Sequence, residues 1–120
     1  MALINVVLIL INTVILVSGQ FLWKMGMQQN PDSFGSLTGI LRLFLSPYVL
    51  TGLVMYGAAT LLWFFILSRV PLSLAYPLQS VAYILAVFGA YFIFHEPLSA
   101  AKIGGCLLIL AGVALIGWKG

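Results

Sequence analysis

Hydrophobic positions fall in four long blocks, Leu3–Trp23, Tyr48–Leu67, Leu72–Phe94 and Ala101–Trp118, and most charged residues lie in or beside the links. Each block is about 18–23 residues long, the length of helix that crosses a hydrocarbon layer ~30 Å thick. Backbone polar groups must be satisfied internally there, which leaves helices or closed barrels. Barrel strands alternate polar and apolar residues, and these blocks do not. The pattern predicts an all-α integral membrane protein, one domain with four transmembrane helices over 3–25, 48–67, 72–94 and 101–118. A cleaved signal peptide would also be apolar. No Lys or Arg precedes the first block, and it exceeds the usual signal core of about 7–15 residues. A retained span is expected.

The links carry their own signals. GMQQNPDSFGS (26–36) is polar and turn-rich, and Asn30-Pro31-Asp32 initiates a turn. The following LTGILRLFLS is too short to span and reads as a short interfacial helix over Ser36–Ser46. Asp32 or Ser33 is its expected cap, and Arg42 would reach toward lipid phosphates. Pro47 separates this segment from the second span, although a simple extension of that span is the alternative. Ser68–Pro71 and His95–Pro97 are tight turns that make neighbouring spans antiparallel. Pro71 suits the first turn of the third span, and Ser99 is placed to cap the fourth.

Composition sharpens the class. The chain is 63% hydrophobic and 6% charged, against about a quarter charged in soluble domains, which excludes a water-soluble fold. Its five basic residues are spread along the chain and form no nucleic-acid surface. Lys24, Arg42 and Lys102 fall on one side of the membrane and Arg69 and Lys119 on the other. That bias is too slight to fix orientation by the positive-inside rule, so antiparallel dual-topology pairs are allowed. The lone Cys106 permits no internal disulfide and reads as a packing residue. With a single His95 beside a turn, there is neither a nucleophile–base pair nor a metal-ligand cluster. No enzyme activity, metal or cofactor is expected.

The chemistry lies inside the spans. In LAYPLQSVAY (74–83), Tyr76, Gln79, Ser80 and Tyr83 are spaced three, four and seven apart and share one helix face. Pro77 removes a backbone hydrogen bond and frees a carbonyl in the preceding turn, which needs a partner in protein or water. Two readings are open: the lining of a transport pathway, or polar glue between helices. The first span adds Asn5 and Asn12 on one face and Gln20 and Lys24 on another. Lys24 either snorkels to the interface or offers charge to an anionic head group. The two carboxylates, Asp32 and Glu96, both fall in links. A proton-coupled exporter of organic cations needs one within the membrane, so this inventory argues against cation antiport. In the fourth span Gly105 and Gly112 are seven apart with Leu108 between them, a small-residue face suited to dimerisation or to packing within one subunit.

Several stretches are together distinctive: VPLSLAYP at Val70–Pro77, HEPLS at His95–Ser99, G-x6-G-V at Gly105–Val113 and S-G-Q-x3-K at Ser18–Lys24. They resemble the small multidrug resistance side of the drug/metabolite transporter superfamily. Within it they are most similar to EamA-like four-helix proteins and to the short subunits that flip undecaprenyl-phosphate-linked aminoarabinose. The resemblance implies a small multidrug resistance-like bundle in a bacterial inner membrane. It implies a homodimer, or a heterodimer with a similar small membrane protein, in contact through the helix bearing Gly105 and Gly112. It also places Tyr76 at the substrate site. The drug-exporting branch carries a glutamate eight residues before the shared lysine, where this chain has Leu16, and an aromatic where it has Gln79.

The expected function is thus a flippase, or flippase subunit, for a polyprenyl-phosphate-linked sugar or similar anionic lipid. Tyr76, Gln79, Ser80, Tyr83 and Gln20 would line the path, and Lys24 and Arg69 would meet the phosphate. The alternatives are an exporter of small hydrophobic or cationic compounds coupled at Glu96, and a non-transporting partner subunit.

Overall fold

The first apolar block forms helix α1 (Leu3–Gln29) in the computed structural model, which describes residues 3–119 and, of Ser33 and Lys119, the backbone alone. The helix runs a turn beyond its expected end because Gly26-Met27-Gln28-Gln29 stays helical. Asn30 Nδ2 donates to the Gly26 carbonyl at 2.9 Å, serving one of the carbonyls a helix end leaves open. A single 3-10 turn, Ser33–Gly35, leads to α2 (Leu37–Leu45). This helix is separate from the next span, and its cap differs from expectation. Ser36 Oγ accepts from the Gly39 N–H at 3.0 Å, while Asp32 opens the 3-10 turn without a side-chain cap bond. The Ser33 side chain lies outside the described residues.

Pro47 occupies the first turn of α3 (Pro47–Leu67), where its missing N–H costs nothing. The third block is two helices, α4 (Leu72–Gln79) and α5 (Val81–Phe94), broken at Ser80. Pro71 is the N-cap of α4, one residue before the position expected of it. The cause of the break is local. Pro77 offers no N–H to the turn before it, and Ser80 Oγ donates to the Pro77 carbonyl, competing with the backbone for it. The backbone tightens instead, with Ser80 N–H to Pro77 O and Tyr83 N–H to Ser80 O each at 3.0 Å. The last helix, α6 (Ala100–Lys119), is capped by Ser99, whose Oγ accepts from the Lys102 N–H at 3.1 Å.

Leu3–Gln29, Pro47–Leu67, Leu72–Phe94 and Ala100–Trp118 are long and apolar enough to cross a membrane. The chain is a multi-pass, all-α membrane protein: 87% of the described residues are helical, and none of them is in a strand. α1 is the hub, packed on α3, α4 and α5, whereas α6 leans mainly on α4 and α5. Ile9, Ile66, Val70, Leu74 and Ala75 form a buried core where α1 begins, α3 ends and α4 begins.

Glycine draws α1 and α3 together at the other end. A Cβ on Gly52 would lie 2.7 Å from the Gly19 carbonyl oxygen and 2.5 Å from the Trp23 ring, so the two backbones meet with nothing between them. Close approach of this kind is how helices associate where lipid removes the hydrophobic drive. Trp23 seals the crossing by donating its indole N–H to the Val49 carbonyl at 3.2 Å.

Candidate functional site

The break at Ser80 does not scatter the polar stripe. Tyr76 and Gln79 come from α4, Ser80 from the joint and Tyr83 from α5, and all four line a groove against α1. The groove consists of two adjoining cavities that share Leu16, Tyr76 and Gln79. One, about 270 Å³, adds Gln20, Ser80 and Tyr83. The other, about 260 Å³, reaches Asn12 on α1 and Tyr56, Thr60 and Trp63 on α3. Five of the expected residues, Tyr76, Gln79, Ser80, Tyr83 and Gln20, thus share one continuous surface. Neither carboxylate of the chain is on it.

The two expected cations lie outside the cavities. Lys24 Nζ donates to Glu96 Oε2 at 2.9 Å and sits 5.6 Å from the centre of the Phe94 ring. The pair ties the end of α1 to the α5–α6 link. A left-handed backbone makes this possible: His95 ends α5 at φ 57°, and the Glu96 N–H turns back to the Ala90 carbonyl at 3.2 Å. Among the described residues no other non-glycine has positive φ. The hydrogen bond from Lys24 holds the Glu96 carboxyl below its ordinary value, aided by the charges of Lys24 and Lys102 and opposed by desolvation. Arg69 stands in the α3–α4 turn, its guanidinium 5.5 Å from the Phe65 ring centre.

Gly105, Leu108 and Gly112 present an open face. A Cβ on either glycine would meet nothing within 4 Å, and Leu108 is 76% exposed. The glycines that bring helices together among the described residues are Gly19 and Gly26 of α1, Gly52 of α3 and Gly89 of α5, where a Cβ would run into the Phe21 ring. Cys106, on the same helix, is buried.

Sequence reasoning left Asn12, Tyr56, Thr60 and Trp63 out of the site. Asn12 carried a signal, as an amide deep in a span, yet its register with the stripe on α4 depends on how α1 packs. Asn12 is 1% exposed, and the Oδ1 atoms of both Asn5 and Asn12 have no hydrogen-bond partner.

A polar groove within four membrane spans is the setting of a small transporter, and comparison with known proteins agrees. The model of the EamA-like transporter family matches residues 1–118. This chain belongs to the EamA-like transporter family. Relatives of this EamA-like chain include the probable 4-amino-4-deoxy-L-arabinose-phosphoundecaprenol flippase subunit ArnE of Aeromonas salmonicida, 36% identical over 83% of this chain and 85% of that one. The subunit of the same name from an Enterobacter species is 46% identical over 54% of this chain and 61% of its own length. That of Pseudomonas fluorescens is 37% identical over 63% and 67%. The match thus spans less than two thirds of the Enterobacter relative and most of the Aeromonas one. No solved structure matches this EamA-like chain.

Proposed function

We propose that this protein is a flippase, or one subunit of a flippase, for a polyprenyl-phosphate-linked sugar in the bacterial inner membrane. The observation that carries the reading is the groove: polar, aromatic and free of carboxylates, set between spans in a region where unpaired polar groups are costly. A lipid tail would stay in the bilayer while the head group moves along Tyr76, Gln79, Ser80, Tyr83 and Gln20. Arg69 at one end and Lys24 at the other, once released from Glu96, would offer positive charge to the phosphate, whose transfer unpaired is unfavourable. The names of the relatives support an amino-sugar lipid as the cargo. The word subunit in those names supports an assembly of more than one chain, which we read as a dimer of two copies or with a similar small subunit, in contact through the open Gly105–Leu108–Gly112 face of α6.

Cation export fits less well. The groove lacks a carboxylate to exchange a proton for a cation, and Glu96 is engaged by Lys24. The test is leaflet exchange of a fluorescent polyprenyl-phosphate sugar in liposomes, read by external quenching, with an organic cation in parallel. Lipid exchange without cation movement is the expected result, and the reverse overturns the reading. Tyr76→Leu and Gln79→Leu are expected to slow exchange at least about tenfold while the protein still elutes as a folded species.

A further inference from the structure

The orphaned carbonyl of Asn12 points to a particular part of the cargo. We infer that Asn12 Oδ1 takes a hydrogen-bond donor on the sugar, an amine or hydroxyl, as the head group occupies the part of the groove lined by α1 and α3; this rests on the flippase reading above. Asn12 is 1% exposed and lines the cavity shared with α3, yet its Oδ1, covered in this state, has no partner. A buried acceptor in a membrane span is costly unless something satisfies it in at least one state of the protein.

The neighbours choose the kind of group. Thr60 Oγ1 already donates to the Tyr56 carbonyl at 2.9 Å, so lone pairs are what its oxygen has left. The acceptors of Asn12 and Thr60 suit a donor on the sugar, and the Trp63 indole N–H and the tyrosine hydroxyls of the same cavity are left for the sugar's oxygens. Tyr56, Trp63 and Tyr76 supply aromatic walls of the same cavity, and such faces attract an ammonium. The phosphate belongs at the cationic ends, and the sugar within. A neutral amide also suits passage, because a site on a path must bind weakly enough to release. Asn5 Oδ1 is equally unpartnered. Seven residues from Asn12, about 10 Å along α1, it extends the row of acceptors toward the start of that helix.

The test compares exchange of two fluorescent lipids in liposomes, bare polyprenyl phosphate and polyprenyl phosphate bearing an amino-pentose. The wild-type protein is expected to favour the amino-pentose lipid. Asn12→Leu and Asn12→Ala, which lack the acceptor and differ in bulk, should each lower that ratio about tenfold, as the loss of one hydrogen bond to a charged donor implies. Asn12→Ser keeps an oxygen acceptor and should restore part of it. The ratio is read within each variant, so a general loss of folded protein does not imitate the effect. A ratio unchanged in both Asn12→Leu and Asn12→Ala overturns the assignment and leaves flipping intact. Exchange of neither lipid by the wild-type protein, alone or reconstituted with the small membrane proteins that co-purify with it, rejects flipping itself, and the assignment with it.

Discussion

At the level of single residues, the pair of Lys24 and Glu96 joins positions 72 apart in the chain. With the carboxyl held below its ordinary value of 4.5, the ionised form is the one the fold favours. The contribution to stability is whole above that value and is lost as pH falls through the lower folded value. Glu96→Gln should therefore destabilise the protein slightly at pH 7, as expected of an exposed pair, and the difference from wild type should fade toward pH 3. Thermal unfolding in detergent at the two pH values checks this, and a difference independent of pH would contradict it. The pairing was not legible in the sequence, where Lys24 had two open roles and Glu96 was a turn residue. The left-handed His95 that aims the carboxylate leaves no sequence mark of the usual kind, since glycine or asparagine is the residue that normally announces such a turn. The helical stripe was legible, because Tyr76, Gln79, Ser80 and Tyr83 sit at helical spacing and a break at one residue preserves their face.

Elements show the same division between local and distant causes. The spans, the separate α2 and the Ser99 cap follow from runs of apolar residues and from proline and serine in place. The break between α4 and α5 needed one more fact, that Ser80 Oγ would take the Pro77 carbonyl. Which glycines do the packing was hidden, because the G-x6-G spacing at Gly19 and Gly26 in α1 recurs at Gly105 and Gly112 in α6. Only the assembled helices reveal that Gly19 meets Gly52. Gly52→Ala is accordingly expected to cost ~1–3 kcal/mol, the usual penalty of overpacking, seen as a lower unfolding midpoint in detergent. Gly112→Ala, with open space around it, should leave the midpoint of the single chain where it was.

Taken whole, the chain is a slab 50 × 36 × 19 Å, about two helix diameters thick, with α6 at its margin. If that margin is where a second subunit docks, Leu108→Cys in a Cys106→Ala background should give an oxidant-induced crosslink to another copy or to a small partner. Leu74→Cys, inside the core at 6% exposure, should give none. Crosslinks spread evenly along α6 would count against a specific face.

The joint at Ser80 has a mechanical side. α5 beyond it is 14 residues long, an arm of about 21 Å at the ordinary helical rise. Pivoting that arm by about 10° at the joint swings its far end by roughly 4 Å, more than the 2.9 Å between Lys24 and Glu96. A slight flexing at this joint would thus be geared up into the making or breaking of a charge contact at the rim. The residues that line the groove sit at the fulcrum, where the displacement is least.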